Sequence, residues 1–100
     1  MSVTEILNRQ LNIINLSVNE FSANKIGLGR LINVLEGTCL VISDFETILS
    51  DRIMEISSQL ESIYACALAE KESGRNYDDY LQSNADEIKK SIEQLEALLQ

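Results

Sequence analysis

The stretch FSANKIGLGRLINVLEG, residues 21–37, holds three of the chain's four glycines among leucines and isoleucines at helical spacing. A glycine inside a helix costs about 1 kcal/mol relative to alanine, so Gly27, Gly29 and Gly37 each need an account. Phe21 closes one apolar stripe, the polar run 22–25 contains Asn24, and the period restarts in a new phase with Leu28, Leu31, Ile32, Leu35, Cys39 and Ile42. Gly27 therefore falls at a helix N-cap, with Ile26 before it and Leu31 four positions after it, the hydrophobic-staple pairing. Gly29 lies in the first turn, where fraying limits its cost. The apolar period passes through Gly37 without a change of phase, so Gly37 reads as an internal glycine, at a close approach of another helix or at a slight bend.

Working outward, the segment before this stretch opens with Ser2 and Glu5 in the S-x-x-E capping box. Val3, Leu7, Leu11, Ile14, Val18 and Phe21 follow as one stripe on a helix of roughly twenty residues, widened by Ile6 and Ile13. After it, SDFE at 43–46 offers Ser43 or Asp44 as a cap, with Glu46 in the first turn. Phe45, Leu49, Ile53, Ile56, Leu60, Ile63 and Ala67 then keep a seven-residue period, supported by Ile48, Tyr64 and Leu68. A helix from 44 to 72 would be about 43 Å long, at 1.5 Å per residue. Gly74 suits a left-handed position just past its end. Asn76 and Asp79 form a weaker capping pair, and Tyr77, Leu81, Ala85, Ile88, Ile92, Leu95 and Leu99 make a fourth stripe.

The chain contains no proline and no alternating Val/Ile/Thr-rich run, so strands are not expected. Four amphipathic helices with short joins predict an all-α fold: one domain over residues 1–100, an antiparallel four-helix bundle with a long third helix. Because the third helix outruns the second, its part from Leu60 to Leu68 requires cover from the first and fourth helices or from another molecule. A sustained heptad also permits a homodimer through that helix.

Hydrophobic residues are 45% of the 100, enough for a packed core without metal or disulfide. No apolar run approaches the ~20 residues of a membrane span, and MSVTEILNRQ lacks a basic and an apolar leader region, so a cytoplasmic location is expected. The net charge of −8 disfavours nucleic acid and anionic membrane surfaces and favours a basic partner. In the expected bundle, Cys39 lies about 6 Å from the turn near Ser43 and Cys66 about 35 Å from it. A disulfide needs Cα atoms within about 7 Å, so two buried thiols are expected.

With no histidine, Ser-His-Asp and Cys-His catalysis and the Glu-x-x-His di-iron site are excluded. The pairs Asp51 with Glu55 and Glu93 with Glu96 share helical faces, the usual arrangement of a solvated surface; a calcium or magnesium site would need further oxygen ligands from loops. The G-x-G of residues 27–29 follows no strand, so it does not read as a nucleotide loop. No catalytic residue, cofactor or metal is expected.

Two surface features remain. Asp44, Glu46, Asp51, Glu55, Glu61, Glu70, Glu72, Asp78 and Asp79 stand against only Arg52, Lys71 and Arg75 on and after the third helix. Such a field raises the association rate with a cationic protein, and it also serves plain solubility. Tyr64, Tyr77 and Tyr80 flank the loop EKESGRN; tyrosines serve as contact anchors or pack with their hydroxyls at the core edge.

The outline FSANKIGLGRLINVLEG, followed by LESIYACAL at 60–68, resembles a group of short bacterial helical proteins: immunity proteins of contact-dependent growth inhibition systems. The resemblance covers most of residues 20–70, and Ile26, Leu28, Leu31, Ile32 and Leu35 would be core positions in it. It implies a protein that binds and neutralises the C-terminal domain of a toxin, often a nuclease. A basic toxin domain is then the expected partner, and Asp51, Glu55, Glu70, Glu72, Tyr77, Asp78 and Asp79 are the expected contact residues. The alternative is a non-catalytic adaptor bundle that homodimerises through its third helix.

Overall fold

The computed structural model describes residues 2–100. They form five helices: α1 (Val3–Ser22), α2 (Leu28–Ile42), α3 (Thr47–Glu72), α4 (Tyr77–Ser83) and α5 (Ala85–Leu98). No strand occurs among the described residues. The all-helical expectation holds, and the count of four is corrected to five.

Helix ends follow from local chemistry. Ser2 Oγ accepts the Glu5 N–H at 3.1 Å, which satisfies one of the free amides of α1's first turn. At the far end of α1, Asn24 takes φ +61°. The amide of Lys25 returns to the Glu20 carbonyl at 2.8 Å and that of Asn24 to Phe21 at 3.0 Å. This is the Schellman closure, with asparagine in the left-handed position. Helix α3 ends identically: Gly74 has φ +79°, Arg75 N–H reaches Glu70 O at 2.8 Å and Gly74 N–H reaches Lys71 O at 3.1 Å. Gly27 caps α2 in an extended conformation, as expected.

Two expected boundaries move. Helix α3 starts at Thr47 with Glu46 as its N-cap residue, so neither Ser43 nor Asp44 caps it. Ser43 instead returns its hydroxyl to Leu40 O, and the amides of Phe45 and Glu46 both bond Ile42 O, which ends α2 and uses up the segment. The fourth stripe is split at Asn84, which ends α4 and begins α5. Its side-chain amide donates to Tyr80 O at 3.0 Å, a local bond that competes with the helical ladder. The apolar period crosses the break almost in phase, which is why spacing alone does not reveal it.

Helices α2 and α3 run antiparallel. Ser50 Oγ donates to Cys39 O at 3.2 Å near their junction, while Tyr64 lies against Gly29 at the opposite end. Helix α5 is also antiparallel to α3: Gln59 meets Ser91, and Arg52 shares a groove with Leu98. Ile14 and Val18 of α1, Leu31, Leu35 and Ile42 of α2, Ile53, Ile56 and Leu60 of α3, and Ile92 and Leu95 of α5 form one buried cluster. Among the described residues, no helix is long and apolar enough to cross a membrane.

The C-terminal half of α3 is covered by α4 and by the start of α2. Leu60 and Ala67 are fully buried there, whereas Ile48, Phe45, Leu68 and Val3, all placed on inward stripes by spacing, are exposed. Gly37 is internal to α2, but a Cβ built on it meets nothing within 4 Å, so no helix approaches it. The close approach is at Gly29.

Candidate interaction face

Helix α3 advances 100° per residue, and its buried residues Ile53, Ile56, Leu60 and Ala67 fix the inward side. The opposite side carries Asp51, Glu55, Ser58, Ser62, Ala65, Cys66, Ala69 and Glu72, all exposed. Asp51 and Glu55 line one shallow depression with Met54, Ser58 and Gln59. Glu72 lies about 26 Å farther along the axis, seventeen residues from Glu55 at 1.5 Å each. Between the acids, the middle of the outward face is made of Ser and Ala, with Cys66 at one edge and Glu61 at the other.

The expected contact residues therefore fall into two groups, not one cluster. Asp51 and Glu55 belong to the N-terminal half of α3. Glu70, Glu72, Tyr77, Asp78 and Asp79 gather where α3 turns into α4, a join of four residues. Within this second group, Asp78 and Asp79 occupy the first turn of α4, where negative charge complements the helix dipole. Asn76 caps that turn, its Oδ1 accepting the Asp79 N–H at 3.1 Å.

Two members of the second group have structural partners. Glu70 is half-buried and paired with Arg75, whose backbone N–H also closes the Schellman turn on the Glu70 carbonyl. Arg75 is 69% exposed, so this pair contributes little stability, on the order of 0–1 kcal/mol. Tyr77 stands edge-on to Tyr64, with centroids 6.4 Å apart and planes at 87°. Partial burial pushes the Tyr77 hydroxyl above its ordinary pKa of 10.0, and Tyr64 and Asp78 add to the shift. Arg75–Glu70 is the one ion pair among the described residues.

Cys66 corrects the expectation of two buried thiols. It is exposed on the outward side of α3, whereas Cys39 is buried between α2 and α3. Position 66 follows Ser62 by four residues and precedes Ala69 by three, a phase that marks it as outward.

The relationship that spacing missed is Gly29 with Tyr64. Gly27, Leu28, Gly29, Arg30 and Asn33 line a shallow cleft with Tyr64 and Tyr77, adjoining a second one lined by Phe21, Ile26, Leu81 and Ile88. The signal was present as a glycine in a helical first turn that no turn geometry required. Among the described residues no three Asp, Glu or Cys side chains converge as metal ligands would.

No family model, curated protein or solved structure matches the chain.

Proposed function

We propose that this protein is a cytoplasmic immunity protein, which binds the basic C-terminal domain of a bacterial toxin through the acidic outer side of α3 and α4 and performs no catalysis. The observation that supports this reading is the set of exposed carboxylates, Asp51, Glu55, Glu72, Asp78 and Asp79, none of which forms an ion pair within its own chain. Unneutralised surface charge of one sign costs self-repulsion within the chain and accelerates encounter with the opposite charge. The middle of that side of α3 carries only Ser and Ala between the two acidic groups, with Glu61 at its edge, so a partner backbone can approach closely. Neutralising or covering a nucleic-acid enzyme's basic cleft requires no reactive group in the inhibitor. In this reading α4 and α5 together form the fourth arm of an antiparallel bundle, bent at Asn84.

A homodimer through the α3 heptad is the second reading. Ile53, Ile56, Leu60 and Ala67 of that heptad are buried within the single chain, so a coiled coil through them would have to displace the chain's own helices. The immunity reading avoids that cost.

The test is protection in cells. Bacteria expressing the C-terminal domain of a toxin encoded beside this chain should survive when the chain is co-expressed. They should lose that protection with the five carboxylates changed to amides. Equal protection by the neutralised variant would overturn the placement of the contact, and absence of protection by the wild type would overturn the function.

A further inference from the structure

We propose that α4 is a hinged strap: residues 77–83 swing away from α3 as a unit, about Gly74 at one end and Asn84 at the other, while α1, α2, α3 and α5 stay folded. Two turns of helix are far below the ~12–15 residues that hold marginally on their own in water, so α4 persists only through what it packs against. None of its seven residues is buried, although every other helix contributes at least three buried residues. Its hold includes Tyr77 edge-on to Tyr64, Leu81 against the edge of the core and Tyr80 beside Cys66, each of the three partly exposed.

Both ends of α4 are already breaks in the ladder. Gly74 supplies the left-handed turn that terminates α3, and Asn84 leaves helical geometry at ψ +16°. Rotation about these two positions disturbs no hydrogen bond within α3. Opening exposes the ring of Tyr64 and the depression floored by Phe21, Ile26 and Ile88, while the buried cluster of α1, α2, α3 and α5 keeps its internal contacts. Free energies of local opening range from near zero to the global value, and a segment with no buried side chain belongs at the low end. The strap stands independently of the partner reading. The two meet because Asp78 and Asp79 ride on α4, so a partner that grips them holds the strap closed.

Native-state hydrogen exchange on the full chain tests this. The bonded amides of residues 80–84 should exchange at least on the order of a hundredfold faster than those of residues 53–60, with rates that barely respond to low denaturant, as local opening exposes little surface. Tyr77→Ala should accelerate the first group on the order of tenfold and leave the second unchanged. Equal protection and equal denaturant dependence of the two groups would overturn the strap. So would a Tyr77→Ala variant that accelerates both groups together.

Discussion

The hydroxyl end of Tyr64 occupies the space in which a side chain on Gly29 would stand: a Cβ there would come within 2.6 Å of Tyr64 Oη and 2.7 Å of Cζ. This contact joins the first turn of α2 to the second half of α3, and Tyr77 of α4 abuts the same ring. Gly29 thus carries a cost in helix propensity in exchange for close packing of three helices.

The two glycines inside α2 should respond oppositely to alanine. Gly29→Ala must displace the hydroxyl end of the Tyr64 ring, which Tyr77 abuts edge-on, an overpacking cost of about 1–3 kcal/mol. Gly37→Ala meets nothing within 4 Å and should stabilise by about 0.5–1 kcal/mol through helix propensity. Chemical denaturation of the two variants checks this, and destabilisation by Gly37→Ala would contradict the open site.

The serines that face α2 from one heptad position of α3 should also differ. Ser50 gives its hydroxyl to Cys39 O across the interface, and Ser50→Ala should cost about 1 kcal/mol. Ser57, seven residues on and also buried, has a hydroxyl with no partner. Ser57→Ala removes an unsatisfied polar atom and should be neutral or stabilising. A larger loss at Ser57 than at Ser50 would be inconsistent with this assignment.

Thiol labelling should proceed in two phases. Cys66 is exposed and should react promptly with a small disulfide reagent, whereas Cys39 is 1% exposed and should react only on opening of the α2–α3 interface. Cys66→Ser should remove the fast phase alone. Two equally slow thiols would restore the reading from spacing.

Alkaline pH should weaken the fold through Cys39. Desolvation holds its thiol above the ordinary 9.0, Glu36 adds to the shift and the Ser50 hydrogen bond opposes it. Near and above pH 9.0 the unfolded chain releases this proton while the folded chain keeps it. The stability carried by the neutral thiol is therefore complete below that pH and lost as pH rises through the folded-state value. The decline of Tm above pH 9 should be shallower in Cys39→Ala than in the wild type. Parallel curves would contradict burial as the cause.

What the sequence reveals depends on whether the physics is local. Gly27, Gly74, Ser2 and Asn76 act on backbone groups within a few residues, and their roles follow from spacing. Asn24 does the same work as Gly74, but an asparagine in a polar run signals it less sharply. The break at Asn84 is hidden because the apolar period continues across it, and only the side-chain bond to Tyr80 O reveals the competition. Gly29 is hidden for a different reason: its partner is 35 positions away in the chain. The acidic residues were visible as a list, but only their phase on α3 and their position on α4 separate Asp51 and Glu55 from Glu72, Asp78 and Asp79. Glu70 and Tyr77, which spacing placed with them, have partners of their own.

The most direct measurement of the central claim is affinity capture of the tagged protein from cells that make it naturally. The captured proteins would be identified by mass spectrometry at moderate salt. A parallel capture would use the variant with Asp51, Glu55, Glu72, Asp78 and Asp79 changed to amides. The account predicts a basic toxin C-terminal domain on the wild type and its loss from the variant. Recovery of the bait alone, or of the same domain at equal yield on both, would contradict it.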